Sequence, residues 1–284
     1  MEKIALVTDS SCDLPQEIIK KYHIHVLPLH IIFKNKDYKD GVDITSDEFY
    51  ERLKTEIPNT SMPCVGEAWE LFKILKGNGY TQILAITLSS GLSGTYSMME
   101  GLKEKVNELG LKINVINSKA LSLGLGFLVM HAGELIKKNI PLQEIIDKIE
   151  MLVKETKVFF VLKTLEFLRK GGRIGLVEGT IGDILDIKPI ISINAEGIYY
   201  SVAKARGRNR SLNKIVEIAK DIMEARPMLL GILHGSSLED AEYVFDLMNK
   251  DKNLQIVDSY LEQTTASMAV HTGPGLIGIA FCPA

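Results

Sequence analysis

The stretch Ile83–Glu100 reads ILAITLSSGLSGTYSMME. An apolar run, Ile83–Leu88, passes into a loop of serine and glycine, and a helix-like segment follows. Loops of this shape gather backbone N–H groups and hydroxyls around an anion. Three common readings fail on spacing. Walker A needs a lysine after the last glycine, and none follows Gly94. The dinucleotide fingerprint is absent. A nucleophile elbow needs G-x-S-x-G, whereas Gly91–Thr95 reads G-L-S-G-T. What remains is a run of hydroxyls, Ser89, Ser90, Ser93, Thr95 and Ser97, at the carboxyl end of a strand, where open α/β sheets bind ligands. A plain helix N-cap with glycines for turning explains the same residues.

Outward from this stretch, strand-like and helix-like segments alternate. KIALVT reads as a strand and PQEIIKKY as a helix. After the serine loop, YSMMEGLKEKVNEL reads as one helix, KINVI as a strand and ALSLGLGFLVMHAGELIKK as a long apolar helix. That rhythm predicts βαβ units and a mostly parallel sheet. The segment from about 23 to 45 breaks the rhythm and reads as a small β insert. Thr45 and Glu48 then form a capping-box pattern for the helix DEFYERLKTEI. A boundary near Thr156–Lys163 divides the chain into 1–160 and 161–284. Beyond it, KPIISINAEGIYYSVAKA reads as a hairpin turning at Asn194–Gly197. Helices SLNKIVEIAKDIMEA and LEDAEYVFDLMNK alternate with strands MLLGILH, LQIVDSY and LIGIAF, and Ser236 and Glu239 make a second capping-box pattern. The expected fold class is α/β in two domains: an N-terminal parallel-sheet α/β domain with a small β insert, and a C-terminal α+β domain.

Composition narrows the function. The 284 residues carry 33 Lys+Arg and 36 Asp+Glu, a net charge of −3, so nothing general calls for nucleic acid or an anionic membrane as partner. Cys12, Cys64 and Cys282 are dispersed, which argues against a disulfide framework and a zinc ribbon. The amino-terminal apolar run is too short for a signal peptide. The apolar stretch Leu121–Ala132 is shorter than the ~20 residues a membrane span needs. A soluble, cytoplasmic protein is expected. His23, His25 and His30 lie close in sequence, but no acidic or cysteine ligand accompanies them there, so no metal is expected.

Two further loops share the chemistry of the first. Thr60 and Ser61, in Asn59-Thr60-Ser61-Met62-Pro63, precede the helix VGEAWELFKILKG. His271 opens His271-Thr272-Gly273-Pro274-Gly275, and a histidine supplies a proton or a charge where an anion sits, although a lone histidine is more often structural. In TDSSCDL, Thr8–Leu14, Asp13 reads as a helix N-cap. TLEFLRKGGRIG carries Arg169, Lys170 and Arg173, and KARGRNR carries Lys204, Arg206, Arg208 and Arg210. The first is explained equally by a basic last helical turn and a glycine C-cap, the second by a solvated face.

Taken in order, TDSSCDL, NTSMPCVGE, SSGLSGTYS, TLEFLRKGGRIG and HTGPG resemble the DegV family, across nearly the whole chain. That family includes the fatty-acid-binding subunit of bacterial fatty acid kinase. The resemblance implies a fatty acid lying between the two domains. Its carboxylate would be held by Ser61 with Thr60 beside it, by Ser93 and by His271. TSMPC stands where TSQPS is usual in the family, so Met62 makes the wall less polar and Cys64 is a poorer cap. The implied partners are a long-chain fatty acid and a fatty acid kinase catalytic subunit, with transient membrane contact, no nucleic acid and no cofactor.

A carboxylate suits neutral hydroxyls and one histidine, because an anion leaving water must be hydrogen-bonded. Each buried methylene contributes about 0.8 kcal/mol, so ~16 carbons gain on the order of 10 kcal/mol before ordering costs. Leu121–Leu135 is apolar on nearly every face; it is a candidate tunnel wall or ordinary core, with Ile184, Leu185 and Ile187 as weaker lining candidates. Arg169, Arg173 and Arg206 are candidates for docking a kinase or neutralising its ATP phosphates. The resulting reading is a lipid carrier without catalysis of its own. The alternatives are a serine-dependent acyl hydrolase using Ser93 and His271, or a lipid sensor.

Overall fold

The computed structural model describes residues 3–180, 186–223 and 226–284. In chain order, β1 (Ile4–Asp9), α1 (Gln16–Lys21) and β2 (His25–Leu27) lead into the hairpin β3 (His30–Phe33) and β4 (Lys36–Lys39). Then come α2 (Ser46–Leu53), β5 (Asn59–Ser61), α3 (Val65–Gly77) and β6 (Gln82–Thr87). The next elements are α4 (Thr95–Gly101), α5 (Lys103–Glu108), β7 (Lys112–Asn117), α6 (Ser122–Lys137) and α7 (Leu142–Glu155). The second half holds β8 (Lys157–Val161), α8 (Glu166–Lys170), β9 (Ile187–Ile193), β10 (Tyr199–Arg206) and α9 (Arg208–Met223). It ends with β11 (Pro227–His234), α10 (Leu238–Asn249), β12 (Gln255–Gln263), α11 (Ala266–Thr272) and β13 (Ile277–Pro283).

Three sheets result. The parallel sheet has order β2-β1-β6-β7, and every residue of β6 is buried, as an apolar run without alternation requires. The small antiparallel sheet β4-β3-β5 pairs His30 with Ser61 and Ile31 with Thr60. The hairpin lies inside the expected insert, but β2 belongs to the parallel sheet and β5 lies beyond residue 45. The mixed sheet has order β10-β9-β8-β13-β11-β12, antiparallel except for β11 beside β12. It begins at Lys157, so the expected boundary at residue 160 falls within β8.

Helix α6 lies between the parallel and mixed sheets, touching β1 and β6 on one side and β11 and β13 on the other. It is buried from Ser122 to Met130 and again at Ala132 and Gly133, so most of this apolar segment is core. Its glycines permit the close approach. A Cβ at Gly124 would overlap Val158, and one at Gly126 would stand 2.6 Å from the carbonyl oxygen of Cys12. One hydrophobic core therefore runs from Leu84 and Ile86 through Leu125 and Phe127 to Phe160 and Ala280.

The Thr45–Glu48 capping box forms as expected. The Ser236–Glu239 box does not: Ser236 has φ 50°, Ser237 takes the N-cap position, and Ser237 Oγ donates to Asp240 instead. The segment Tyr96–Leu109 is two helices rather than one, because the Leu102 N–H bonds Met99 at 3.2 Å and tightens the turn there. Among the described residues, no helix is long and apolar enough to cross a membrane. Gly126→Val should destabilise the protein by about 2–3 kcal/mol in urea unfolding, since the Cys12 backbone cannot yield cheaply. Unchanged stability would contradict the wedged position of α6.

Candidate functional site

The three hydroxyl and histidine loops meet. A cavity of about 30 Å³ receives Thr60 and Ser61 from β5, Ser93 from the loop after β6, His271 from α11 and Arg173 from the loop after α8. Leu29, Leu88, Leu92, Tyr199 and Met268 complete the apolar part of its wall, and Met62 lines it too. Of the five hydroxyls in the serine loop, Ser93 alone lines this cavity. Ser89 Oγ donates to Gly197 in the β9–β10 turn at 2.7 Å, which ties the loop to the mixed sheet. Ser90 Oγ accepts from Asn117 at 2.7 Å.

The geometry of each group follows from its loop. Thr60 Oγ1 and His271 Nε2 are 2.7 Å apart. His271 Nδ1 is buried without a partner. A Cβ at Gly171 would overlap that nitrogen, so a glycine is required beside the imidazole. Ser93 Oγ lies 3.0 Å from Thr95 Oγ1 and accepts from the Thr95 N–H at 3.3 Å, a hydroxyl turn at the start of α4. Ser61 Oγ donates to the Met62 carbonyl at 3.2 Å. Arg173 donates from Nε to Leu92 O at 3.3 Å and from Nη1 to Gly171 O at 2.7 Å. Burial, and then the nearby Arg173 charge, push the His271 imidazole down to about 4. At neutral pH His271 is therefore uncharged, and Arg173 is the cation in this cavity.

A second cavity of about 20 Å³ lies against the amino-terminal end of α6, walled by Leu121, Val158, Phe160, Leu233, Leu276 and Met268. Tyr199 and Met268 line both cavities and stand between them. The Tyr199 ring packs edge-on against Phe160 with centroids 5.1 Å apart. The polar chamber thus leads to an apolar one through two side chains. Of the expected tunnel segment, Leu121 and Ser122 line the second cavity and most of the rest is core. Ile187 lines neither cavity, and Ile184 and Leu185 lie outside the described residues.

Other expectations sort differently. Arg173 joins the cavity, whereas Arg169 lies 3.8 Å from Glu178 and Arg206 is exposed at the end of β10. Its two anchoring carbonyls, from Leu92 and Gly171, come from separate loops, so spacing alone did not reveal that position. Asp13 is not an N-cap: Pro15 takes that place, and the buried Asp13 carboxylate accepts from Ser122, Thr264 and the Thr265 N–H. Among the described residues, no group of three or more His, Cys, Asp or Glu could hold a metal. His30 does find acids in space, Asp37 at 2.9 Å and Glu67 at 3.0 Å. Cys64 caps α3 without a side-chain hydrogen bond.

Comparison with known proteins agrees with this architecture. Residues 3–284 match the model of the family described as "Uncharacterised protein, DegV family". A DegV domain-containing protein of Clostridium acetobutylicum is 41% identical over 281 residues, 98% of each chain. One from Staphylococcus aureus is 35% identical over 281 residues, again 98% of each. The chain belongs to the DegV family. Among solved structures, a DegV protein of Thermus thermophilus described by its fatty acid binding superposes with TM-score 0.91 at 27% identity, covering 99% of this chain and 100% of that one. The fatty-acid-binding DegV protein of Streptococcus agalactiae superposes with TM-score 0.91 at 29% identity over the whole of both chains.

The electrostatics of the cavity can be read by NMR. The His271 ring should stay neutral as pH falls from 8 to 5.5, and Arg173→Gln should move its titration upward. A wild-type ring that protonates near its ordinary value would contradict the burial described above.

Proposed function

We propose that this protein binds one long-chain fatty acid, with the carboxylate in the polar chamber and the alkyl tail in the apolar one. The observation that carries this reading is the convergence of Thr60, Ser61, Ser93, Arg173 and His271 on a cavity that adjoins a mostly apolar one, in which Ser122, Thr264 and Thr272 stand among Leu, Val, Phe and Met side chains. The solved relatives described as fatty-acid-binding support it. Arg173 supplies the positive charge, the hydroxyls supply donors, and neutral His271 adds one ring N–H. Charge-assisted hydrogen bonds of this kind are worth about 1.5–3 kcal/mol each. The tail adds about 0.8 kcal/mol per buried methylene. Cavities of 30 and 20 Å³ hold little more than a water each, so the tail enters only when Tyr199 and Met268 turn aside. Methionine, unbranched and flexible, suits that movement.

The hydrolase alternative finds less support. No hydrogen bond joins Ser93 to His271; Ser93 bonds Thr95, and His271 Nε2 faces Thr60. Its Nδ1 has no carboxylate to orient it. A nucleophile needs both contacts. The protein is better read as a carrier that shields the tail and presents the carboxyl to a separate ATP-dependent kinase, which makes an acyl phosphate. On this reading Arg169 and Arg206, both outside the cavity, contact the kinase, while Arg173 serves the carboxylate.

Native mass spectrometry of the purified protein should show one fatty acid per chain. Ser93→Ala should weaken retention about tenfold and Arg173→Ala about a hundredfold. Protein that takes up no fatty acid, or that turns over an acyl ester unaided, would overturn the proposal. With a kinase subunit and ATP, Arg206→Glu should slow acyl phosphate formation without loosening the fatty acid. An unchanged rate removes Arg206 from the docking surface.

A further inference from the structure

Two buried carboxylates lie where the loop after β1 meets α11. Asp13 is 5% exposed and Asp40 2%. Asp13 Oδ2 accepts from Thr264 Oγ1 at 2.9 Å and from Ser122 Oγ, and Asp13 Oδ1 accepts from the Thr265 N–H at 2.8 Å. Asp40 Oδ2 accepts from Ser10 Oγ at 2.7 Å and from Ser267 Oγ. The two acids belong to the first half of the chain, while Thr264 and Thr265 lead into α11 and Ser267 lies in its first turn. They therefore tie the start of α11 to the first half. That helix in turn lines both cavities, with Ser267 and His271 in the polar one, Thr272 in the apolar one and Met268 in both.

Among the described residues, the titratable groups that act on these acids include Asp9, Cys12, Tyr50 and Glu262, none of them basic. Three buried polar atoms of the region also have no hydrogen-bond partner: Asp40 Oδ1, Tyr50 OH and Thr265 Oγ1. The Thr265 side chain lies beside both carboxyls. A buried anionic oxygen without a donor is costly. A proton on Asp40 removes that cost.

We propose that Asp13 and Asp40 are positioning residues that latch α11 over the cavities, and that the closed latch carries a proton which passes to water when α11 lifts. Its consequence for ligand exchange rests on the fatty-acid reading, but the latch itself does not. Burial raises both acids, Asp13 to about 6, against the hydrogen bonds that lower them. Once exposed, each returns to roughly 4. The closed form binds the proton more tightly, so low pH favours closure, and that advantage is lost as pH rises through about 6. Asp9 is raised as well, but Ser11 and the Leu88 N–H hold it within the first half, away from α11.

The test is hydrogen exchange of the 266–272 amides, corrected for intrinsic pH dependence, beside the release rate of hexadecyl sulfonate, whose head stays charged. Opening should increase about tenfold from pH 5 to pH 7 as Asp13 titrates. Asp40→Asn and Asp13→Asn should flatten the profile, while His30→Gln, which removes a raised group paired with Asp37 and Glu67 instead, should not. A flat wild-type profile overturns the latch, even should a variant fail to fold, and so does a wild-type-like profile in both Asp variants. Expected exchange behaviour with no sulfonate binding keeps the latch and removes the fatty-acid reading.

Discussion

A helical segment without a polar face must be covered on every side, and the first half of α6, Ser122–Met130, is that segment. Two sheets cover it, one parallel and one mixed, and its glycines set how closely they approach. The cost of glycine in a helix, roughly 1 kcal/mol each, is offset by the packing it permits. This arrangement brings the carboxyl ends of β1 and β6 against the second half of the chain. At the amino-terminal end of α6 the apolar cavity lies between the helix, strands β8, β11 and β13, and α11. The polar cavity adjoins it because β5, the serine loop and α11 close over the same end.

The division of labour in the polar cavity follows from burial. An imidazole this deep, beside an arginine, is neutral, so His271 serves as a hydrogen-bonding group and Arg173 as the charge. Arg173 is fixed by two backbone carbonyls and keeps further guanidinium N–H groups for a ligand. One arginine and several hydroxyls match a single carboxylate better than a polyphosphate. In the proposed reading, tail burial supplies most of the affinity and the head group sets register. Both chambers are small as they stand, so the proposed binding requires Tyr199 and Met268 to move.

Much of the local structure was legible in the sequence. The unbroken apolar run of β6, the Thr45 capping box, the helix Val65–Gly77 and the turn at Asn194–Gly197 all stand as read. What failed depended on distant partners. Nothing in Lys157–Val161 says that this strand pairs with β13, more than a hundred residues away. Asp13 precedes a proline-started helix and looks like a cap, yet its partners include Thr264 and Thr265. The hydroxyl and histidine residues were reached through motifs and family resemblance, since Thr60 and His271 are 211 positions apart. Arg173 turns into the cavity while Arg169 and Arg206 stay outside it, and a basic cluster in the sequence does not show which of its members turns inward.

The most direct measurement is carbon-13 NMR of carboxyl-labelled hexadecanoic acid bound to the protein, titrated from pH 8 to pH 5. With the carboxylate held by Arg173 and hydroxyl donors, its resonance should be shifted from that of free acid and stay constant across the range. In Arg173→Gln the same resonance should titrate. A label that titrates as it does in water, or that gives no bound signal at all, would contradict a buried, arginine-paired head group.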